Sequence, residues 1–335
     1  MNYYNGSEIA LVFWYTNIIK LTQVRLMTQD YKLKYYALLK EYHKLEIELN
    51  ETKKILETYA GEEVETTQPA PVNSQSASDL VSLFAMLFQG RSDVYAKMYY
   101  NKNTNKNEYA TQCSNEWEEG ICDKKKPKEQ RKYKCKTCPN RRYKQLTPTI
   151  IESHLRGQDS QFKEVVIGIY PILSDETCYF LAVDFDKENW QKDVAAFRKT
   201  CSDKGIPVYI ERSRSGNGAH AWFFFTEKIP IKLARKLGNL LLTETMNVHY
   251  QLNFKSYDRL FPNQDNIPKG GLGNLIALPL QGQAVHKGNS VFIDEEFNMI
   301  QNQWNLLATV EKLSLTQIQK LMFTLRCLSG CIING

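Results

Sequence analysis

Three acidic residues lie within short apolar runs and could bind metal ions. Asp184 and Asp186 end the run FLAVDFD, whose apolar and aromatic residues predict a buried strand. The two-residue period of a strand places both carboxylates on one face and Phe185 on the other. Adjacent carboxylates repel each other, whereas a hard divalent cation such as Mg²⁺ or Mn²⁺ can bind both. Asp258 lies in another β-prone run, so all three acids are candidate metal ligands and catalytic residues.

A glycine-rich turn between these runs could bind phosphate. Residues 213–225 read SRSGNGAHAWFFF. Small residues let the backbone approach a phosphate closely, and the imidazole of His220 can donate a hydrogen bond to a phosphate oxygen. Taken singly, an Asp-x-Asp pair more often caps a loop, and a histidine beside aromatic residues is more often structural. Their combination in one chain favours a metal and phosphate site.

The elements that must position these residues alternate along the chain. Apolar runs predict strands around residues 165–170, 178–185, 207–212, 219–225, 254–258, 274–279 and 291–293. Helices are predicted around residues 79–88, 190–204 and 231–247. Because the pair of strands at 207–225 forms an antiparallel hairpin, we predict a mixed α+β fold.

The order of these motifs resembles that of a known superfamily. An Asp-hydrophobic-Asp pair, a small-x-His motif and a hydrophobic-Asp strand follow one another in the archaeo-eukaryotic primases, also called primase-polymerases. The narrower resemblance, from about residue 79 to about residue 310, is to the primase domain of TOTE conflict systems and to the CRISPR-associated primase-polymerases. It is carried by IGIYP at 167–171, ERSRSGNGAH at 211–220, YDRLFPNQD at 257–265 and PKGGLGNLIALPLQ at 268–281.

The resemblance implies a fold and an activity. The fold is the α+β archaeo-eukaryotic primase catalytic core, an RRM-like unit with a small αβ module, in residues 146–312. The activity is template-dependent nucleotidyl transfer by a DNA primase or polymerase, in a mobile-element or phage conflict system. Asp184, Asp186 and Asp258 would hold two Mg²⁺ or Mn²⁺ ions that activate a 3′-hydroxyl and stabilise the leaving pyrophosphate. The nucleoside triphosphate would contact Ser215, Gly216, Asn217, Gly218, His220, Arg212, Arg214 and Lys269.

Four clustered cysteines predict a zinc site. Cys113, Cys122, Cys135 and Cys138 are separated by 8, 12 and 2 residues, and the last pair has the spacing of a tight zinc knuckle. Disulfides are the weaker alternative, because no secretory signal is visible and a cytosolic chain keeps its thiols reduced. We therefore predict a structural Zn²⁺ module within residues 79–145. A similar cysteine cluster precedes the catalytic domain in the related proteins.

The same segment is strongly basic. Residues 124–144 contain eleven Lys or Arg residues and one acid, Glu129, in a chain whose formal net charge is +6. Such a block predicts a surface for the phosphate backbone of single-stranded or primer-template DNA, or of RNA, although a solvated basic loop is the alternative. The predicted nucleic-acid contacts are Lys124, Lys125, Lys126, Lys128, Arg131, Lys132, Lys134, Arg141 and Arg142.

The N-terminal region has a different pattern. Apolar residues recur every three or four positions from about residue 29 to about residue 59, which predicts an amphipathic helix within residues 1–61. This helix could self-associate as a coiled coil or pack on the rest of the protein. Residues 62–78 are poor in core-forming side chains and predict a flexible linker, and residues 313–335 are predicted to be a C-terminal tail.

The overall composition is that of a globular protein. Hydrophobic residues make up 42% and charged residues 24% of the 335 residues, which is enough for two or three domains. The apolar run at 9–15 is too short to span a bilayer and lacks a basic lead-in, so we predict a cytoplasmic protein without a membrane segment. Either Met1 or Met27 could be the natural start. Related proteins usually continue into helicase or nuclease domains, so such domains or partners are expected and the chain could be a fragment.

Two other functions fit the same residues. One is a catalytically silent, zinc-anchored module that binds nucleic acid for a partner, although the intact acids argue against it. The other is a metal-dependent nuclease, which also uses clustered acids and would cut DNA with no nucleotide present. The sequence leaves open whether the favoured enzyme starts chains or only extends them. It also leaves open the sugar of the nucleotide, the template preference and the oligomeric state.

Overall fold

The computed structural model describes residues 44, 76–249, 255–267 and 270–331, with side chains as far as residue 325. The chain divides into two compact units, residues 1–69 and 70–335, and the elements below belong to the second unit. The predicted N-terminal helix, apart from residue 44, lies outside the described residues, as do the linker up to residue 75 and Lys269. In the part of the chain that the structure describes, no helix is long and apolar enough to cross a membrane.

Seven α-helices lie within the described residues, and the three helices predicted after residue 78 are among them. They are α1 (Ala77–Leu87), α2 (Pro148–Arg156), α3 (Trp190–Asp203), α4 (Ile231–Val248), α5 (Gly282–Val285), α6 (Gln303–Ala308) and α7 (Leu315–Cys331). The predicted helices correspond to α1, α3 and α4. Helix α1 begins with a capping box, because the Ser76 side chain accepts from the Asp79 amide while the Asp79 side chain accepts from the Ser76 amide.

Ten strands lie within the described residues. They are β1 (Ala96–Asn101), β2 (Lys106–Thr111), β3 (Ile167–Ile169), β4 (Thr177–Asp186), β5 (Tyr209–Arg212), β6 (Gly218–Pro230), β7 (Tyr257–Phe261), β8 (Ile276–Ala277), β9 (Val291–Phe292) and β10 (Lys312–Leu313). Each predicted strand has a counterpart among β3 to β9, and β7 extends beyond its predicted end. The mixed α/β class is confirmed.

The larger sheet has the strand order β7-β4-β6-β5-β9, with antiparallel neighbours throughout, and β10 pairs in parallel with β6. The antiparallel pairing of β5 with β6 confirms the predicted hairpin. Strands β4 and β6 are apolar on both faces because both faces are covered. On one face Phe223 packs against Phe197 of α3, with ring centroids 6.0 Å apart. On the other, Trp222 packs against Phe88, which follows α1, at 5.0 Å.

The smaller sheet has the order β2-β1-β3-β8, again with antiparallel neighbours. Its strands come from both sides of residue 145, so the predicted zinc-binding region and the predicted catalytic region share this sheet. The turns that follow β2 are three short 3₁₀ helices, at 123–125, 128–130 and 135–137. No residue between 112 and 147 is fully buried, although the partly buried Leu146 and Tyr143 pack against the hydrophobic clusters.

His154 connects α2 to the smaller sheet. Its Nδ1 accepts a hydrogen bond from the Ile167 amide at 3.1 Å, and its Nε2 donates to the Pro279 carbonyl at 3.0 Å. Since one ring nitrogen accepts and the other donates, the imidazole is neutral. Complete burial lowers the pKa of His154 to about 4. This histidine is structural.

Candidate active site

The three predicted acids meet at one end of the larger sheet. Asp184 and Asp186 lie at the end of β4, and Asp258 lies near the start of the neighbouring strand β7. Carboxylate oxygens of the three side chains lie within 4.8 Å of one another. Within the described ranges, this is the only group of three or more His, Cys, Asp or Glu side chains whose ligand atoms are so close.

A β-bulge turns Asp258 towards the other two acids. In the pairing of β4 with β7, Asp184 lies opposite Arg259, whereas the next residue, Phe185, lies opposite Tyr257. Asp258 is therefore the extra residue on β7. Bulges beside active sites commonly redirect a side chain. Here the Tyr257 ring packs near Phe185, with centroids 6.5 Å apart, and the Asp258 carboxylate lies with those of β4.

The acidic cluster is electrostatically unfavourable without a cation. Burial raises the pKa of Asp184 to about 6; His220 and Arg259 oppose the rise, and the nearby carboxylates of Asp186 and Asp258 add to it. Arg259 offsets part of the repulsion, because its Nε donates to Asp258 Oδ2 at 2.6 Å. A hard divalent cation fits this donor set, since it would remove the remaining repulsion among three carboxylates.

His220 faces the acidic cluster from the adjacent strand β6. It lies opposite Asp184 in the pairing of β4 with β6, and its Nε2 is 3.6 Å from Asp184 Oδ1. The other nitrogen, Nδ1, lies 2.8 Å from Glu211 Oε2. Burial opposes protonation of the ring, but the carboxylates of Glu211, Asp184 and Asp186 outweigh it and raise the pKa of His220 to about 9. The surrounding carboxylates therefore favour the protonated form of the imidazole.

The glycine-rich turn lies directly against Asp186. The Ser213 amide donates to the Gly218 carbonyl and the Gly216 amide donates to the Ser213 carbonyl, both at 2.9 Å. Gly216 has a φ of +79°, which L side chains rarely adopt. A Cβ at Gly218 would lie 2.4 Å from the Phe185 carbonyl oxygen and 2.6 Å from Asp186 Oδ1. Only glycine allows the turn to approach the acids this closely.

The polar side chains of the glycine-rich turn are exposed to solvent. Ser215 and Asn217 are both exposed. Ser215 Oγ lies 3.0 Å from Ser213 Oγ and accepts a hydrogen bond from the Asn217 amide at 3.2 Å. The turn thus presents small side chains and backbone beside the acidic cluster, which is an arrangement suited to an anionic ligand.

The three predicted cationic contacts are placed differently. Arg212 donates one terminal nitrogen to the Gly288 carbonyl at 2.9 Å and the other to the Phe297 carbonyl, so it holds a neighbouring loop in place. Arg214 Nη1 lies 3.8 Å from Glu164 Oε1, and its side chain is 29% exposed. Lys269 lies outside the described residues. Phosphate contact by any of the three stays a prediction.

Glu211 is a site residue that the sequence analysis missed. It is only 2% exposed and lies opposite His220 in the pairing of β5 with β6. Its Oε2 accepts from His220 and from the Trp222 indole, the latter at 3.1 Å. The register of the β5–β6 hairpin places Glu211 beside His220. The sequence alone does not give this register, because it depends on the conformation of the Gly-rich turn.

The four predicted zinc ligands are close in the chain but are not gathered into one cluster. All four are free thiols, so no disulfide joins them. Cys113 pairs with Tyr143 in an isolated β-bridge, and its sulfur accepts from the Arg142 amide at 3.3 Å. The four sulfurs, all in the described part of the chain, do not form a group with every ligand atom within 4.8 Å. Zinc binding stays a prediction.

Several of the predicted nucleic-acid contacts are engaged within the basic segment. Lys124 forms an ion pair with Glu116 and also lies over the Trp117 ring, 5.4 Å from its centroid. Lys132 lies 5.5 Å from the centroid of Tyr133, and Arg141 lies 4.7 Å from that of Tyr143. Arg131 donates to the Lys124 carbonyl at 2.9 Å and to the Lys126 carbonyl at 3.0 Å. Cations and aromatic rings are thus interleaved on this surface.

Comparisons with known proteins give one family. Residues 79–321 match the family described as the TOTE conflict system, Archaeo-Eukaryotic Primase domain. A search of curated proteins returned no match.

Two solved structures are similar to this chain at low identity. The first is the archaeo-eukaryotic primase domain of the cyanophage S-2L primase-polymerase, at 10% identity and a TM-score of 0.35, covering 73% of this chain and 97% of that one. The second is the polymerase domain of Mycobacterium tuberculosis ligase D in complex with DNA, at 10% identity and a TM-score of 0.35, covering 74% of this chain and 87% of that one.

Proposed function

Because the chain belongs to the family of TOTE conflict system archaeo-eukaryotic primase domains, we propose that it is a template-dependent nucleotidyltransferase, a DNA primase or polymerase that acts in a conflict system. Membership of the family supports nucleotidyl transfer, and dependence on a template is what we propose in addition. The observation that carries the proposal is the convergence of Asp184, Asp186 and Asp258 beside a glycine-rich turn and His220.

The three aspartates would hold the divalent metals. Their oxygens are hard ligands of the kind that Mg²⁺ and Mn²⁺ prefer. Bound metal would lower the pKa of a 3′-hydroxyl and stabilise the charge that develops on the transferred phosphoryl group. The bulge at Asp258 and the strand end at Asp186 fix the carboxylates on two neighbouring strands.

The turn and His220 would hold the triphosphate of the incoming nucleotide. The turn lies beside Asp186, and the residues proposed to contact the triphosphate are Ser215, Gly216, Asn217 and Gly218. Nε2 of His220 faces the same space and can donate to a phosphate oxygen. Arg214 and Lys269 are proposed as further phosphate contacts. Arg212 could contact a phosphate only by breaking its hydrogen bonds to two backbone carbonyls.

The basic segment would hold the template. The cations of residues 124–142 and the rings of Trp117, Tyr133 and Tyr143 lie side by side, and both groups favour a single-stranded or primer-template nucleic acid. We propose that Zn²⁺ on Cys113, Cys122, Cys135 and Cys138 orders this segment, which lacks buried residues of its own.

The test is synthesis by the purified chain on a single-stranded template, with and without an annealed primer. The assay contains Mg²⁺ or Mn²⁺ and labelled ribonucleotides or deoxyribonucleotides. Product without a primer identifies a primase, and product only with a primer identifies a polymerase; the incorporated label gives the sugar preference. Template binding without any product would contradict the proposal and favour a binding module, and cutting of DNA without nucleotides would favour a nuclease.

A further inference from the structure

His220 is held by a buried carboxylate that does not contact the acidic cluster. Glu211 is 2% exposed, and its Oε2 accepts from Nδ1 of His220 at 2.8 Å and from the Trp222 indole nitrogen at 3.1 Å. Its Oε1 lies 3.5 Å from the Ser290 hydroxyl. Burying a carboxylate is costly unless donors surround it, and here three donors do so. We propose that Glu211 is a positioning residue that fixes the His220 ring for nucleotide transfer, an inference that rests on the proposed function.

The hydrogen bond to Glu211 determines which nitrogen of His220 faces the site. An ionised carboxylate can only accept, so Nδ1 must carry a proton. The ring is then held with Nε2 directed at Asp184, 3.6 Å away. The Trp222 ring packs edge-on to the imidazole, with centroids 5.9 Å apart, and limits its rotation from the side. Glu211 therefore controls both the orientation of the ring and the position of its free nitrogen.

The hydroxyl that supports Glu211 belongs to a strained residue. Ser290 is fully buried and has a φ of +57°, which is unfavourable for a residue other than glycine. Its amide donates to the Ser213 carbonyl at 3.4 Å, and its own Oγ accepts from the Gln281 amide at 3.3 Å. Such strain persists only where the surroundings hold it, and it is concentrated at functional sites. Here the strained backbone places the Ser290 hydroxyl beside Oε1 of Glu211, whereas His220 contacts Oε2.

The same loop also contacts the glycine-rich turn. Arg212 donates to the Gly288 carbonyl at 2.9 Å, and a Cβ at Gly216 would lie 2.9 Å from Asn289 Oδ1. Residues 288–290 thus touch Arg212, Ser213 and Gly216 as well as Glu211. Glu211 and residues 288–290 consequently connect His220 to the glycine-rich turn. The two proposed triphosphate contacts are therefore held by the same group of residues.

Two substitutions separate positioning from packing. Glu211→Gln keeps the shape, an oxygen for His220 and Trp222 and a polar group for Ser290, whereas Glu211→Ala removes all three contacts. With Glu211→Ala we expect kcat/KM for the nucleotide to fall about a hundredfold, because small misplacement of a positioning group has effects of that size. Glu211→Gln should stay within about tenfold of wild type. Glu244→Gln, at a shielded carboxylate that pairs with Lys204, is the control and should have no effect.

A spectroscopic measurement tests the inference independently of activity. In ¹⁵N-histidine-labelled protein without nucleotide, the imidazole signals of His220, assigned with His220→Gln, should show a protonated Nδ1 in wild type and in Glu211→Gln. In Glu211→Ala the His220 signals should move towards those of a neutral ring with mixed tautomers, because the carboxylate that favours the protonated ring and binds Nδ1 is gone. If that variant does not fold, Ser290→Ala should perturb the same signals. Unchanged His220 signals in Glu211→Ala, or in Ser290→Ala where Glu211→Ala does not fold, would overturn the inference, as would a kcat/KM in Glu211→Ala equal to that of wild type. Wild-type protein that makes no product while its His220 signals depend on Glu211 would contradict the proposed function only.

Discussion

The acidic cluster and the cysteine-rich segment are two predicted metal sites that differ in the secondary structure carrying their ligands. The aspartates lie on β4 and β7, whose pairing brings the carboxylates within 4.8 Å of one another. The cysteines lie between residues 112 and 147, where no residue is buried and only short 3₁₀ turns form. A site on paired strands is organised by the protein, whereas a site on loops needs the ion to organise it. The first therefore suits catalysis, in which metals come and go with substrate, and the second suits structure.

The largest expected effect comes from removing the acids. Asp184→Asn with Asp186→Asn should reduce synthesis by about a thousandfold or more, because metal ions contribute several kcal/mol to the stabilisation of the transition state. Binding of single-stranded DNA should be kept, since the change removes negative charge. Primer extension and fluorescence anisotropy measure the two properties. Extension by the double variant at the wild-type rate would show that the acids are not the catalytic ligands.

Removing zinc should affect only the cysteine-rich segment. With a chelator, or with Cys135→Ser and Cys138→Ser together, we expect proteolytic cleavage between residues 112 and 147 and weaker DNA binding. The cooperative unfolding of the remaining core should stay unchanged, because that segment buries no residue. Limited proteolysis followed by mass spectrometry, with a measurement of zinc content, tests this. Protein purified without zinc and yet resistant to protease would refute the zinc assignment.

The close approach of the turn to the acids gives a smaller effect. Gly218→Ala would place a Cβ 2.4 Å from the Phe185 carbonyl oxygen, so the turn or β4 must move. We expect a loss of about 1 to 3 kcal/mol in the free energy of unfolding, together with a higher KM for the nucleotide. Gly205→Ala is the control, since no atom lies within 4 Å of its Cβ and only its positive φ is unfavourable. Equal kinetics in both variants would contradict the proposed role of the turn.

The last prediction concerns a residue away from the site and is a dependence of stability on pH. His154 has an ordinary pKa of 6.5, which burial lowers to about 4 in the folded protein. Between these values the unfolded chain binds more protons, so the folded state should lose stability as the pH falls from 6.5 to 4, by roughly 3 kcal/mol in total. Chemical unfolding at several pH values tests this. His154→Gln should flatten the curve in that window, and an unchanged curve would contradict the assignment.

The sequence predicted the strands of the site better than the contacts between them. The run FLAVDFD and the hairpin around His220 both fold as expected, because their apolar periodicity is local. The smaller sheet was not predicted, since it joins β1 and β2 to β3 and β8 across long stretches of chain. The role of Arg212 was also missed, because its partners, the carbonyls of Gly288 and Phe297, are about eighty residues away. Glu211 required the strand register, which depends on the turn.

Binding of Mn²⁺ to the acidic cluster tests the central claim most directly. Wild type, the double variant Asp184→Asn with Asp186→Asn, and the control Asp203→Asn, whose carboxylate pairs with Lys199 on the exposed surface of α3, are titrated with Mn²⁺ and followed by electron paramagnetic resonance. We predict that wild type and Asp203→Asn bind the ion equally and that the double variant loses this binding. Equal binding by all three proteins would contradict the account.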